Sequence, residues 1–440
     1  MRILYYSVML FTLLVLGGCA KTPKQTGSEQ SAEDLNTFPQ SAHAYINNIR
    51  SHTGLIPVQE NYDRLYFQPW NYTKPPFKLE LILWPFTSYT PGESFGENLQ
   101  LLEEEWFIKM RSKGNYEAYG SLGRKAISLS YLNLRNFPTH KPVLRDPEKA
   151  GEGFPFDYMQ NSGIHANEPL YISHLSIDGK WAYVFTAYAT GWVPLNSIAF
   201  ISDKVAATWQ KSHQIELIEE HFPIKDLKGN FVFESRVGMR LALISVEPTH
   251  YIALAITAGK NHSSIYTKVK VPLSIAKKEK MVLNADNLVR ITDLMLQSNY
   301  GWGGLFQERD CSSMLRDLYA PFGLWLPRNS SQQSKVGRII SFEGLSPKEK
   351  KELIIKEGIP FETLLYKEGH ILLYLGQYQG EIAVLHNVWG IKTLKNGVEG
   401  RAVIGRTVIS SLELGKERED YDPNKSILSL LRSMNIITKE

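Results

Sequence analysis

Cys311 is the residue around which a chemistry can be built. It follows the turn-rich stretch Tyr300-Gly-Trp-Gly-Gly and precedes an apolar helical pattern of Met314, Leu315, Leu318, Tyr319 and Phe322, which predicts a helix over Cys311 to Phe322 with the cysteine at its N-terminus. There the helix dipole and unpaired backbone amides favour a thiolate and lower the thiol pKa. An attacking thiolate also needs a proton acceptor and donor, and imidazole has a suitable pKa. The chain has 11 histidines, and a hairpin signal selects two of them. Ile371-Leu-Leu-Tyr-Leu-Gly and Gly380-Glu-Ile-Ala-Val-Leu read as strands joined through Gln377-Tyr378-Gln379. With the turn centred on Tyr378, Gly376 faces Gly380 and His370 faces His386, with Cβ atoms roughly 5 Å apart on one sheet face. One ring then activates the thiol while the other orients the first. A lone strand histidine is more often structural. Two of them together with a helix-start cysteine reverse that expectation.

The elements that must position these groups belong to a modular chain. At 440 residues it is expected to hold about two to four domains. Hydrophobic residues at 43% and charged residues at 21% are the composition of a folded protein. The net charge of +4 is scattered, with no concentrated basic patch, so nucleic acid is not an expected partner. From Ser41 to about Gly120 helical segments are expected around aromatic patches, among them a helix over Glu97 to Lys113 with Leu99, Leu102, Trp106 and Met110 on one face. From about Arg124 to Phe200 short alternating runs separated by Gly, Pro, Asn and Asp predict a small barrel, and a less distinctive strand-rich stretch runs from Asp203 to Val271. A helix is expected over Asn284 to Leu296. A nucleophile helix followed by antiparallel strands gives an α+β C-terminal domain. No His/Cys/Asp cluster has metal-ligand spacing, and no cofactor is expected.

The N-terminus reads as an address. Met1-Arg2 and the apolar run Ile3 to Leu16 have the shape of a secretory signal, too short to span a membrane comfortably. The run ends in Leu16-Gly17-Gly18-Cys19, which resembles a bacterial lipobox, so Cys19 is the expected lipidation site and membrane anchor. Ala20 follows instead of Asp, which in a Gram-negative cell points to an outer-membrane lipoprotein facing the periplasm. Residues 20 to 38 are polar and read as a tether. The only two cysteines, Cys19 and Cys311, sit in segments with unrelated fates, and no disulfide is expected.

Taken in order, Tyr300-Gly-Trp-Gly-Gly, Asp310-Cys311-Ser312, Leu326-Pro-Arg-Asn-Ser-Ser-Gln-Gln, Gly369-His370-Ile-Leu-Leu-Tyr-Leu-Gly and His386-Asn-Val-Trp-Gly resemble the NlpC/P60 cysteine peptidases, a circularly rearranged papain-like group. Leu132-Asn-Leu-Arg-Asn-Phe-Pro-Thr, Phe156-Asp-Tyr-Met-Gln-Asn-Ser and Ala189-Thr-Gly-Trp-Val-Pro resemble the bacterial SH3-like domain joined to one branch of these peptidases. The architecture this implies is a signal peptide over 1–18, lipidated cysteine and tether over 19–40, a helical stabilising domain over 41–120, SH3-like barrels over 121–201 and 202–274, and the peptidase domain over 275–440. The activity implied is hydrolysis of the bond between γ-D-glutamate and the diamino acid of peptidoglycan stem peptides, through a thioester. Carried over by position, Cys311 is the nucleophile, His370 the general base and acid, and His386 the orienting member. In branches that take stems with a free L-Ala end the residue before the nucleophile holds the amine, and Asp310 stands there. Ser312 and Tyr300 fall where the family lines the substrate and oxyanion region. Each of the last three also has a structural alternative: a helix cap for Asp310, a local hydrogen bond for Ser312, packing for Tyr300. The segment Leu305-Phe-Gln-Glu-Arg departs from the family's Gly- and Ser-rich loop.

Two other functions fit the same residues. A wall-binding scaffold with an inert peptidase domain would bind sacculi without releasing product. A thiol-dependent acyltransferase would yield a transferred acyl product in place of a free diamino acid. The expected partners of the leading reading are stem peptides or muropeptides.

Overall fold

The alternating stretch after Arg124 folds as a seven-stranded antiparallel sheet. Its strands are Arg124–Ser128 (β1), Leu132–Arg135 (β2), Gln160–Ile164 (β3), Pro169–Leu175 (β4), Trp181–Phe185 (β5), Thr190–Pro194 (β6) and Ile198–Phe200 (β7), in the order β3-β2-β6-β5-β4-β1-β7. The second stretch gives Gln214–Leu217 (β8), Pro223–Asp226 (β9), Phe231–Glu234 (β10), Arg240–Val246 (β11), His250–Ala258 (β12), Ser264–Pro272 (β13) and Ala276–Lys277 (β14), ordered β10-β9-β13-β12-β11-β8-β14. Renumbered from its own first strand, the second order is identical to the first. The weaker of the two sequence patterns thus builds the same topology, and Ala276, paired with Leu217, carries its sheet past residue 274. The computed structural model describes residues 32–50, 56–57 and 61–439; Cys19 and residues 20–31 lie outside the described residues, whereas the end of the expected tether is packed, with Phe38 buried and the Asp34 carboxylate accepting from Ser411 Oγ at 2.6 Å.

The C-terminal domain is a six-stranded antiparallel sheet with helices on it. Arg338–Ser341 (β15), Thr363–Lys367 (β16), His370–Tyr378 (β17), Glu381–Lys395 (β18), Val398–Ser410 (β19) and Leu431–Ile436 (β20) run in the order β15-β20-β16-β17-β18-β19. The helix Ala285–Met295, capped by Asn284, and the helix Cys311–Tyr319 bury Ile291, Met295, Met314, Leu315 and Leu318 against Ile371, Leu373 and Leu385 of that sheet. The nucleophile helix stops at Tyr319; Ala320–Phe322 tighten into a 3₁₀ turn that Gly323 ends.

The N-terminal segment is built from short helices and binds two domains at once. Gln40 exchanges two hydrogen bonds with the backbone of Ile409, and Asn48 donates to Leu375 O at 2.9 Å. Trp70 Nε1 donates to Ala126 O of β1 at 2.8 Å. The helix expected from Glu97 begins only at Glu104 and runs to Gly114. Leu99 takes a left-handed φ of 61°, Leu99 N bonds Gly96 O, and Gln100 N bonds Asn98 Oδ1. Local turn bonds of this kind outbid helical periodicity before Glu104.

Candidate active site

Asp310 caps the helix that begins at Cys311. Its carboxylate accepts from Ser313 N at 2.8 Å while its own N–H donates to Ser313 Oγ at 3.0 Å, a reciprocal capping box. The loop ahead of it is held by the first sheet. Trp302 Nε1 donates to Asp157 O, Gln160 Nε2 to Gly303 O and Tyr131 Oη to Gly304 O. A Cβ at Gly303 would sit 2.7 Å from Gln160 O, and one at Gly304 2.6 Å from Gly163 N, so glycine is required where strand β3 lies against this loop. The charged segment after it has its own anchor. Arg309 is buried, with Nε 2.8 Å from Asp317 Oδ2 and Nη2 2.8 Å from Glu220 Oε1.

The hairpin delivers the imidazoles by a register different from the one expected. Its turn is Gln379-Gly380, Tyr378 pairs Glu381, and beyond a bulge Leu373 pairs Leu385. Direct pairing of His370 with His386 is therefore lost, because the ladder is offset by two residues. An offset of two keeps both rings on the same face. His370 Nε2 and His386 Nδ1 are 2.8 Å apart, His386 Nε2 is 3.0 Å from Ser410 Oγ, and Ser410 Oγ donates to Ser411 O at 2.9 Å. This chain assigns the tautomers. With the Ser410 hydroxyl proton committed to Ser411, His386 must donate from Nε2 and accept at Nδ1, so His370 carries its proton on Nε2 and leaves Nδ1 as a base.

Cys311 and His370 line one cleft of about 460 Å³, together with Tyr300, Trp302, Lys367 and Trp389. The backbone amide of Ile371, next to His370, acts on the Cys311 thiol in the direction that favours its anion. Burial pushes the thiol up to about 12, with Asp310 adding to the rise, opposite in direction to the lowering expected at a helix N-terminus. Burial, then His386 and Lys367, hold His370 well below the ordinary imidazole range, and burial with Lys367 brings His386 to about 3. In the resting site burial thus favours a neutral thiol and neutral rings.

The remaining expected site residues separate. Tyr300 lines the cleft, its ring 5.9 Å from that of Trp389, and burial raises its phenol well above the usual value. Asp310 and Ser312 are engaged elsewhere. Arg328 Nη2 is 2.6 Å from Asp310 Oδ2, its Nη1 bonds Asp310 Oδ1 and Ser312 Oγ, and its Nε bonds Ser162 Oγ of β3. Burial alone would raise the Asp310 carboxyl, but the Arg328 guanidinium beside it holds it below the usual range. The Asp310 carboxylate is thus already engaged by a guanidinium and a helix N-terminus, and an amine would have to share it with them.

Three family models match the chain: the NLPC_P60 stabilising domain over residues 8–119, an SH3 domain of the SH3b1 type over 142–194, and the NlpC/P60 family over 297–398. The C-terminal domain is an NlpC/P60 domain. NlpC/P60 proteins are cysteine peptidases and peptidoglycan hydrolases, which makes this chain a cell-wall peptidase at the level of class. A solved NlpC/P60 endopeptidase from Photobacterium damselae subsp. piscicida is similar at 21% identity, with a TM-score of 0.77 over 91% of this chain and 97% of that one; the likeness is one of fold. An NlpC/P60 family protein from Bacillus cereus aligns at 13% identity and a TM-score of 0.48, over 72% of this chain and 100% of that one. No match was found among curated proteins.

Several groups at the site were not found by sequence reasoning. Ser410 carries no motif and reaches His386 only through strand pairing with Val384. Gly151, Phe156 and Tyr158, from the connection between β2 and β3, wall the cleft. The run Phe156-Asp-Tyr already stood out as SH3-like, and its ring contacts with Trp302 show why: Phe156 lies 5.1 Å and Tyr158 5.5 Å from that indole.

Proposed function

We propose that this NlpC/P60 domain hydrolyses the γ-D-glutamyl–diamino acid bond of peptidoglycan stem peptides through a thioester on Cys311. The observation that carries the reading is the unbroken line His370–His386–Ser410 behind a thiol in an open cleft. On attack, His370 Nδ1 takes the thiol proton as the carbon–sulfur bond forms, and the oxyanion faces the first-turn amides of the nucleophile helix. His370 then returns the proton to the leaving amine, and a water activated by the same nitrogen cleaves the thioester, restoring the thiol. A substrate with a free L-Ala end remains part of the proposal without Asp310 as its amine ligand.

The chain is further proposed to act from the envelope as a lipoprotein anchored through Cys19, facing the periplasm, on the strength of Leu16-Gly17-Gly18-Cys19. Purified full-length protein with Cys311→Ala or Cys311→Ser should release no diamino acid from L-Ala-γ-D-Glu-diaminopimelate, whereas the native chain should. Turnover retained in either variant removes the nucleophile. Incorporation of labelled palmitate that survives Cys19→Ala would remove the anchor.

A further inference from the structure

The cleft holds more positive charge than thiol chemistry uses. Lys367, Lys392 and Arg401 line it with Cys311 and His370, and among the described residues none of the three side chains has an ion-pair or hydrogen-bond partner. Lys392 and Arg401 are direct register partners on the long β18–β19 hairpin. Like charges in that relation destabilise a sheet. A Cβ at Gly151 would fall 1.8 Å from Arg401 Nη2, so the SH3-like side of the cleft approaches this guanidinium closely. Its Nε is buried without an acceptor, a costly state for a charged donor. The nearby Glu152, whose charge acts on Arg401 without forming an ion pair with it, accepts from the Tyr158 hydroxyl at 2.9 Å. Lys367 lies on β16 as the register partner of His370, and burial depresses its ammonium. Arg401 also falls beyond the stretch 297–398 that the family model matches.

Resting on the peptidase reading above, we propose that Lys367, Lys392 and Arg401 form a carboxylate subsite that selects acidic stem peptides over their amidated counterparts. A guanidinium fork takes a carboxylate through two parallel hydrogen bonds, and the two ammonium groups add point charge. The γ-D-glutamyl–diamino acid junction offers such groups, the α-carboxylate of the glutamate and those of the diamino acid. Amidation of these replaces the anion with a neutral amide that cannot answer three unpaired cations. The subsite therefore reads the amidation state of the wall, a property set by amide-forming enzymes acting on the peptide before it is cut.

The test uses the full chain in two forms. In Cys311→Ala, calorimetry with L-Ala-γ-D-Glu-diaminopimelate and its fully amidated form should show the acid bound tighter by on the order of ten- to a hundred-fold. Adding Arg401→Gln should erase that difference while leaving affinity for the amidated peptide unchanged, and Arg401→Lys should restore part of it. In the chain with native Cys311, Arg401→Gln should raise KM for the acid with kcat little altered. Equal affinity for acid and amide in Cys311→Ala, or a preference that survives both Arg401→Gln and Lys392→Gln, overturns the subsite. If the native chain cuts neither peptide yet the acid preference is present and lost with Arg401→Gln, the subsite stands and the peptidase reading falls.

Discussion

Nε2 of His370 lies 2.8 Å from Nδ1 of His386 although their backbones are not register partners. The contact is diagonal across the ladder, and it is held from behind by Ser410. Ser410→Ala should leave the fold intact and release the ring of His386. Loss of about 1 kcal/mol of orienting hydrogen bond corresponds to roughly a five-fold fall in kcat with KM unchanged. Ser410→Thr should recover most of the rate, and a pH–rate profile should shift only in the alanine variant; an unchanged kcat in Ser410→Ala would dismiss the relay.

A thiol pushed up to about 12 should not behave as a pre-formed thiolate. Alkylation of Cys311 by iodoacetamide in the free protein is expected to accelerate steadily from pH 7 to pH 10 without a plateau near neutrality, as the small thiolate fraction grows. Because His370 is held below its ordinary range, the acid limb of kcat/KM should lie below the usual imidazole value of 6.5. A plateau of alkylation rate at neutral pH would show an ion pair in the resting site.

Asp310 and Arg328 make a buried pair that also touches strand β3 through Ser162. Asp310→Asn leaves the guanidinium without its counter-charge and should cost about 3–5 kcal/mol of stability, read by denaturant unfolding. The ratio of kcat/KM for the free tripeptide to that for its N-acetylated form should not change. A lost preference for the free amine at native stability would return Asp310 to the substrate.

Glu220 bridges Arg309 and Arg236 between the second sheet and the catalytic loop. Burial alone would raise its carboxyl, but the two guanidinium groups outweigh it and lower the pKa from 4.5 to about 2. A depressed folded-state value stabilises above pH 4.5 and loses that stabilisation as pH falls toward 2, on the order of 3 kcal/mol. Glu220→Gln should be less stable at neutral pH and flatter through that acid window; a native-like acid slope in the variant would assign it to other carboxylates.

What the chain disclosed before folding was unequal, for physical reasons. Cys311 and its helix were legible because capping and apolar periodicity are local. The His370–His386 contact was legible only as a shared face: the displaced turn shifts the pairing by an odd step, the bulge makes the offset two beyond it, and side-chain alternation forgives an even error. The ion pair of Asp310 was not legible, because its partner Arg328 stands 18 positions along the chain and reaches it through tertiary packing, whereas its helix cap was. Ser410 and Arg401 sit on a strand whose pairing sets their positions, and nothing in their own neighbourhoods marks them. The second seven-stranded unit had a faint pattern yet repeats the first one's strand order.

Strand β3 presses on Gly303 and Gly304, and Arg328 reaches back to Ser162 on that strand. The catalytic unit is therefore no portable cassette. Transplanted onto a foreign carrier it would keep its thiol and its rings but lose the outer template that shapes their approach, and drift in one module would have to be matched by drift in the other. Inheritance of this architecture favours the pair moving as one.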